Sequence, residues 1–412
     1  MRDLNLYSIL FICLLIAGGL SGCQQEKIDP EETLELRELS VIEQEVVALS
    51  NDFAFHLFAK VNQETPNGNL FISPFSVSMA LGMTLNGAAD STLKAIQHTL
   101  GQNDLIPVEI NKGYNELSTL LKSIDKRVNY SNSSALWYHQ QLQVNSLFKD
   151  ISAAYYEAWV EGIDFEHPKS AAWVNKWVEN QTESKVKVMV EEIQPENQMF
   201  FTNTVYFKAD WAQAFDKSLT AKAPFYKVDG TSVQANMMFA DDAEVLFYQD
   251  VEKTLIDLPY GNKQYSMVIL LPREGYSMDD LIDGLDAETM NTYYTSADTL
   301  TLDLRLPKFN IASKLELEPV LAALGMGVAF GEEANFSNLF ENEGNVPLRQ
   351  MIHHAYVEVH EDGTEAGAST VSGSISNTPL PTISVDQPFV FFIREKHTQA
   401  VLFAGKMINP VM

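Results

Sequence analysis

The sequence contains few cysteines and few basic residues. Its two cysteines are Cys13 and Cys23. Cys13 lies in an N-terminal apolar stretch that we expect to be removed, so the mature chain cannot form an internal disulfide. Lysine and arginine together number 28 against 55 aspartates and glutamates, which gives a net charge of −27. This acidity disfavours nucleic acids and anionic membranes as electrostatic partners, and it favours solubility without defining a site.

Enzyme signatures are also absent. The sequence has no Gly-x-Ser-x-Gly, no His-Glu-x-x-His, no Cys-x-x-Cys and no glycine-rich phosphate loop. His353-His354 could suggest a metal site, but adjacent residues of a strand point to opposite faces, so we expect one of them to be buried and hydrogen-bonded. Asp241-Asp242 and Glu332-Glu333 are typical of solvated turns rather than of a calcium site. We therefore expect no enzyme activity, no cofactor and no metal.

The first 22 residues have the pattern of a secretory signal. Leu4 to Leu20 is mostly apolar, lies at the extreme N-terminus and ends at small residues, which favours a signal peptide over a spanning helix. Leu20-Ser-Gly-Cys23 resembles a bacterial lipobox, which implies that Cys23 is acylated; the alternative is an ordinary signal peptide. We predict an exported bacterial lipoprotein on the outer membrane or cell surface, facing the extracellular side and held to the membrane only by its lipid.

The remaining chain is predicted to form an acidic tether and one large domain. Residues 23–40 are rich in acidic residues and contain Pro30 and no aromatics, which is typical of a solvated spacer. Residues 41–412 show no linker and no repeat. Helices are predicted mostly first and strands mostly later, which favours an α+β fold. The predicted helices are 41–61, 76–85, 91–100 and 171–181, and the predicted strands are 200–207, 254–259, 265–271, 300–306, 388–393 and 400–407.

The segment from Val357 to Leu380 has an unusual composition for a loop. It opens with a strand-like alternation, turns at an acidic, glycine-marked hinge (361–363), and continues with small residues. Between Ala366 and Thr378 it contains no charge and no proline. Such a segment can become a strand inside a sheet, because no charge must be buried and every N–H can donate. The alternative is a flexible Ser/Gly linker.

Several motifs, in order along the chain, resemble those of the serpins, the serine-protease-inhibitor family. They are Asn69–Ser78 (NLFISPFSVS), Gly87–Ala89, Phe201–Trp211 with Phe215-Asp216, Leu306–Phe309, Leu324–Phe330, Asn335–Ser337, Pro388–Phe391 and Leu402–Pro410. The resemblance covers roughly residues 45 to 411. It implies the serpin fold, with a large central β-sheet, additional sheets, about eight or nine helices and an exposed reactive-centre loop at about 361–384.

The resemblance also implies a mechanism. A serpin offers its loop to a serine protease, is cleaved, and traps the protease as an acyl-enzyme while the loop inserts into the central sheet. The implied hinge residues are Glu361, Gly363, Thr364, Glu365, Ala366, Gly367, Ala368, Ser369 and Thr370. Gly367 departs from the alanine that is usual in the family, which adds flexibility and lowers strand propensity. Small hinge residues favour an inhibitor over a non-inhibitory serpin-fold binding protein that is cleaved as a plain substrate.

Matching motif positions imply residues that support the opening of the sheet. Ser73, Ser76, Asn203 and His353 would form a polar cluster beneath the opening, and Trp211 would pack where the loop enters. Lys308 would pair there with Glu361.

The reactive bond is placed by counting. Seventeen residues from Glu361, as in common serpins, end at Asn377, so the bond is Asn377–Thr378, with Ser376 or Ile375 as alternative recognised residues. No arginine or lysine lies between Asp362 and Pro381. An elastase- or subtilisin-like serine protease is therefore favoured over a trypsin-like one, and a papain-like cysteine protease is a further option. We expect a monomer.

Overall fold

A computed structural model describes residues 36–364 and 380–411. The compact unit begins at Leu36, ahead of the predicted domain start at residue 41. Leu36 and Leu39 pack against the core, and Arg37 forms an ion pair with the buried Glu43. The predicted signal peptide, Cys23 and most of the predicted tether lie outside the described residues. No helix within the described ranges is long and apolar enough to cross a membrane.

The helices lie mostly in the first half of the chain, as predicted. They are α1 Val41–Glu64, α2 Pro74–Leu85, α3 Asp90–Thr99, α4 Pro107–Ser123, α5 Ser146–Tyr156, α6 Ser170–Gln181, α7 Met278–Asp283 and α8 Ala287–Ser296, followed by the short α9 Glu318–Leu321 and α10 Gly327–Phe330 on either side of a π-helical turn, Ala322–Met326. A 3₁₀ turn spans Lys217–Leu219. Ser73 caps α2 by accepting from the Ser76 amide, and Pro74 occupies its first turn, so α2 starts before the predicted residue 76.

The strands form two sheets. They are β1 Leu70–Ile72, β2 Val128–His139, β3 Trp159–Ile163, β4 Met199–Asp210, β5 Ala221–Tyr226, β6 Ser232–Gln249, β7 Lys253–Pro259, β8 Tyr265–Pro272, β9 Asp298–Pro307, β10 Phe309–Glu316, β11 Met351–Val359, β12 Gly363–Thr364, β13 Thr382–Ser384, β14 Phe389–Glu395 and β15 Val401–Met407. The central sheet has the order β10-β11-β4-β2-β3, with β12 paired to β4. The second sheet has the order β1-β15-β14-β8-β7-β6-β9-β13, with β5 paired to β6. This arrangement confirms the α+β class.

α2 lies between the two sheets, where it contacts β4 of the central sheet and β15 of the second sheet. Every residue of α2 is buried. α6 packs on the other face of the central sheet, where Val174 and Val178 are buried and Trp177 contacts Trp137 edge to face. The sequence does not predict β2, because its middle is a run of Asn and Ser residues instead of an apolar alternation.

Candidate functional site

The central sheet contains a parallel contact between β4 and β11, which we call the seam. Phe201 lies opposite Met351 and the register continues to Tyr206 opposite Tyr356. On their other sides, β4 pairs antiparallel with β2 and β11 pairs antiparallel with β10. Parallel pairing is slightly less stable per residue than antiparallel pairing. A strand that entered the seam in the opposite direction would replace one parallel contact by two antiparallel ones.

The chain turns back at one end of the seam. After β11, His360 and Gly363 exchange two backbone hydrogen bonds, from His360 N to Gly363 O (2.9 Å) and from Gly363 N to His360 O (3.1 Å). We call His360–Gly363 the hinge turn. Gly363 has a φ of +151°, and a Cβ there would overlap the carbonyl oxygen of Ala209, so only glycine fits. Gly363 and Thr364 already pair antiparallel with Asp210 and Ala209 of β4.

Thr364 is fully buried at this end of the seam. Its hydroxyl lies 2.9 Å from the hydroxyl of Tyr260. Tyr260 stacks on Trp211, with a centroid distance of 4.3 Å and an interplanar angle of 7°. The Trp211 Nε1 donates to the carbonyl of His360 at 2.9 Å. The structure therefore places Trp211 against the hinge turn, where the loop would first enter.

Glu361 pairs with Lys308 as the sequence predicts. The Lys308 Nζ lies 2.7 Å from Glu361 Oε2, and the Thr220 hydroxyl donates to Glu361 Oε1 at 2.7 Å. Burial alone would raise the pKa of Glu361, but the hydrogen bonds from Lys308 and Thr220 outweigh it, so this pKa lies below its ordinary value. Glu361 is therefore held as a carboxylate at neutral pH.

The predicted polar cluster lies where the start of α2 meets the seam. Ser73 Oγ donates to the Leu402 carbonyl (2.6 Å), and Ser76 Oγ lies 2.9 Å from Asn203 Oδ1. Asn203 Oδ1 is also 2.6 Å from His353 Nδ1, a contact that crosses the seam from β4 to β11. The cluster further includes Asn132 and Ser134 of β2, which accept from the Asn203 amide at 3.1 and 2.9 Å.

His353 is neutral in this cluster. Its Nε2 accepts from the Ser73 amide at 3.1 Å, so Nδ1 carries the proton and donates to Asn203. Burial, with a smaller contribution from His354, lowers the pKa of His353 to about 3. We expected one of the two histidines to be buried, but both are, because His354 is buried on the opposite face of the sheet. The His354 Nδ1 has no hydrogen-bond partner among the described residues. No group of metal-ligating side chains occurs within 36–364 or 380–411.

Residues 365–379 of the predicted loop lie outside the described residues. This applies to Glu365, Ala366, Gly367, Ala368, Ser369 and Thr370 of the hinge, and to Ile375, Ser376, Asn377 and Thr378 at the predicted reactive bond. The described chain resumes at Leu380 and forms β13, which pairs parallel with β9 in the second sheet. The predicted loop therefore connects the central sheet to the second sheet.

Comparison with known proteins identifies the family. The family model for Serpin (serine protease inhibitor) matches residues 48–410. The chain belongs to the serpin family. Among similar serpins, Serpin A3-8 of Bos taurus is 30% identical, covering 100% of this chain and 99% of its own. Thyroxine-binding globulin of Homo sapiens is 32% identical, covering 88% of this chain and 89% of its own.

Solved serpin structures have the same fold. Human thyroxine-binding globulin complexed with thyroxine aligns with a TM-score of 0.83 at 30% identity, over 90% of this chain and 99% of that chain. The serpin fold that the sequence predicts is therefore confirmed. Family membership supports protease inhibition in general, with a protease as the partner, whereas the name of thyroxine-binding globulin shows that a relative binds a small molecule.

Sequence reasoning misses several residues of this serpin's site. Tyr260, Thr220 and Lys217 all contact the hinge side chains. None belongs to a motif with a chemical signature, because each acts through its position at the end of a strand or in a turn. The missed Asn132 and Ser134 carry a weak signal, since a run of Asn and Ser within a buried strand needs polar partners.

Proposed function

We propose that this serpin is a suicide-substrate inhibitor of serine proteases. One observation carries the proposal: Gly363 and Thr364 already pair antiparallel with β4 at the end of the parallel seam. A loop that continued in this direction after cleavage would run between β4 and β11 as a new strand. The sequence of the loop suits this, because it offers small, uncharged, proline-free residues from Ala366 onward.

We infer that the uncleaved form is metastable relative to a form with the loop inserted. Insertion adds a dozen or so backbone hydrogen bonds at roughly 1 kcal/mol net each, which is on the order of 10 kcal/mol and offsets the loss of the seam contact and of the conformational entropy of the loop. The cross-seam contact of Asn203 with His353 opposes premature opening. Cleavage removes the covalent restraint on the loop, after which insertion becomes favourable.

We propose Asn377–Thr378 as the reactive bond, with Ser376 or Ile375 as alternative recognised residues. The absence of arginine and lysine from this stretch favours an elastase- or subtilisin-like protease over a trypsin-like one. A papain-like cysteine protease is the further option, and the inhibitor acts as a monomer.

The test is to incubate the purified protein with elastase, subtilisin, trypsin and chymotrypsin. We expect a protease complex that survives boiling in detergent, and the mass of the released C-terminal peptide identifies the cleaved bond. Cleavage by every protease with no complex and no gain in heat stability would overturn the proposal. A large gain in heat stability without a complex would show that the loop inserts and that the matching protease was not among the four.

A pair of variants at Thr364 separates an inhibitor from a plain substrate. Thr364→Arg places a charge where the native side chain is fully buried against Tyr260, so we expect cleavage without a complex. Thr364→Ser keeps the hydroxyl and the small size and should still form the complex. Equal complex formation by both variants would contradict entry of the loop at this position.

A second candidate function is that of a serpin-fold binding protein. A cavity of 470 Å³ lies between α1, α8 and the turn that joins β14 to β15, within the size range of small-molecule sites. Val47, Phe55 and Met290 contribute to its lining. The lining also includes Tyr294 and the polar residues Asn51 and Asn291. A ligand with an aromatic body and a polar atom would suit this lining.

The binding function is tested by thermal shift with a panel of amphipathic aromatic compounds. A rise in the melting temperature that Met290→Trp abolishes would support a ligand in the cavity, because the larger side chain fills it. The two candidate functions are then separated by the protease assay. The second candidate would be favoured by two results together: the protein binds a compound of the panel, and its cleavage by the proteases produces neither a complex nor a gain in heat stability.

We also propose that the protein is an exported lipoprotein anchored through Cys23. The lipobox-like residues Leu20–Cys23 and the acidic segment that follows them support this proposal. Expression with a labelled fatty acid should label the wild-type chain but not the Cys23→Ser variant. Label in both, or in neither, would contradict acylation at this residue, and protease accessibility on whole cells would test the extracellular location.

A further inference from the structure

Two adjacent carboxylates of the hinge turn are held by two different lysines. Glu361 pairs with Lys308 at 2.7 Å, and the Asp362 Oδ2 lies 2.5 Å from the Lys217 Nζ. The two carboxylate side chains are only 7% and 12% exposed. A carboxylate that is nearly buried needs a charged or hydrogen-bonding partner, so each lysine restricts the position of its own acid.

The two lysines approach the hinge turn from opposite sides of the seam. Lys308 directly precedes β10, which pairs with β11. Lys217 begins the 3₁₀ turn Lys217–Leu219, which follows β4 in the chain. Glu361 has partners on both sides, since Thr220 lies next to the 3₁₀ turn. Among the described residues, the lysine that pairs with Asp362 lies on the β4 side, and His360 Nδ1, on the turn itself, is 3.9 Å from Asp362 Oδ2.

Backbone hydrogen bonds also connect the hinge turn to the β4 side of the seam. The Trp211 N–H donates to the Asp362 carbonyl at 2.9 Å, and the Phe215 N–H donates to the Glu361 carbonyl at 2.8 Å. The segment after β4 therefore holds the hinge turn through two backbone hydrogen bonds, and Lys217 of the same segment adds an ion pair with Asp362. If β11 moves away from β4, these contacts keep the hinge turn beside β4.

We infer that Lys217 is a positioning residue for loop insertion: by pairing with Asp362 it holds the hinge turn against β4 while the seam opens. The pairs of Gly363 with Asp210 and of Thr364 with Ala209 then persist, and each further loop residue adds to β4 in the same register. Insertion competes with release of the protease by hydrolysis, so a hinge that is already aligned raises the fraction of trapped protease. This inference rests on the proposed suicide-substrate mechanism.

The functional test compares Lys217→Ala, Asp362→Lys and the double variant Lys217→Glu/Asp362→Lys. We expect each single variant to raise the ratio of inhibitor cleaved without trapping to inhibitor that traps protease by about two- to fivefold, which is the range that a partly exposed ion pair provides. The double variant restores the pair with reversed charges and should return close to the wild-type value. Lys176→Ala is the matched control, because Lys176 is 66% exposed against 65% for Lys217 and forms its ion pair with Glu179 inside α6.

A salt series tests the electrostatic origin of the effect. Raising the ionic strength from about 0.1 M to about 1 M shortens the screening length from about 10 Å to about 3 Å. The wild-type protein should then approach the behaviour of Lys217→Ala, while the variant changes little. Equal trapping by wild type and Lys217→Ala at low salt, or no rescue by the double variant, would overturn the inference.

Hydrogen exchange of the uncleaved protein tests the inference without a protease. Amides of the peptide that covers residues 357–364 should exchange about two- to fivefold faster in Lys217→Ala than in the wild type or in Lys176→Ala. Unchanged exchange would overturn the role of Lys217. If the wild type traps no protease while the exchange still differs, the proposed inhibitory function fails but the positioning of the hinge turn by Lys217 stands.

Discussion

Two strand pairs of this serpin, β14 with β15 and β4 with β11, are both largely buried but are differently built. β14 and β15 pair antiparallel, and their surroundings are packed with aromatic rings: Phe71 stacks on Phe403 at 5.0 Å and on Phe391 at 5.8 Å. β4 and β11 pair parallel, and where α2 meets them the contacts are hydrogen bonds among Ser, Asn and His side chains. The contact between β14 and β15 is stabilised by packed aromatic rings, and the contact between β4 and β11 is stabilised there by hydrogen bonds between polar side chains.

This difference indicates which of the two contacts would open in the loop insertion that we propose. Separating interlocked rings leaves voids that no incoming group fills, and each void costs contact energy. Separating a hydrogen-bonded parallel pair costs less when a new strand restores backbone hydrogen bonds on both sides. The seam therefore suits the strand insertion that we propose, while the packing around β14 and β15 favours a pair that stays together.

The largest expected effect on stability comes from disturbing the packing between β14 and β15. A Cβ at Gly405 of β15 would overlap the ring of Phe391, so Gly405→Ala should lower the free energy of unfolding by about 3 kcal/mol. Urea unfolding of the uncleaved protein measures this. The matched control is Gly331→Ala, where the nearest atom to a new Cβ is 3.8 Å away. A loss at Gly405 no larger than at Gly331 would contradict the tight packing of this pair.

The seam is expected to respond to pH through His353. The pKa of His353 is lowered from 6.5 to about 3. Between these two values the unfolded chain binds a proton that the folded protein does not bind. Stability therefore falls as the pH drops below about 6.5, and lowering the pH from 7 to 5 should cost about 2 kcal/mol through this residue.

Substitution of His353 isolates its share of the pH dependence. His353→Gln keeps one acceptor and one donor without a titrating group, so melting temperatures of the variant should fall less between pH 7 and pH 5 than those of the wild type. Identical pH profiles for wild type and His353→Gln would show that the histidine is not buried as a neutral group.

The fold was predictable from the sequence where local patterns and the family resemblance agree. The apolar spacing of Val46, Leu49, Phe53, Leu57 and Val61 predicts α1, and all of them are buried except Leu49, which is half-buried. β2 was not predictable from periodicity, because its Asn and Ser residues are stabilised by partners on other elements. Strand order was likewise not readable from local pattern, since it depends on contacts between distant segments.

The candidate site was predictable in its residue types but not in its geometry. The resemblance implies the pairing of Glu361 with Lys308, and the two side chains lie 2.7 Å apart. Nothing in the sequence indicates that Thr364 is already buried or that Tyr260 contacts it. Tyr260 follows β7 with no motif around it, and its role comes from the isolated bridge that Tyr260 forms with Trp211.

The smallest expected effect concerns the single hydrogen bond between Tyr260 and Thr364. Tyr260→Phe removes one hydroxyl, and Thr364→Val replaces the other by a methyl group of similar size. Each variant should lower the stability of the uncleaved protein by about 1 kcal/mol, because each leaves one buried hydroxyl without its partner. Melting temperatures of both single variants and of the double variant measure this.

The double variant decides whether the two hydroxyls act as a pair. If they bond to each other, the double variant loses no second hydrogen bond and leaves no unpaired hydroxyl, so its loss should be smaller than the sum of the single losses, with a coupling of about 1 kcal/mol. Additive losses would mean that Thr364 is not seated against Tyr260 in solution. Thr364 would then lie outside the sheet at the start of the proposed insertion. The contrast between the seam and the β14–β15 pair would be smaller than the structure indicates.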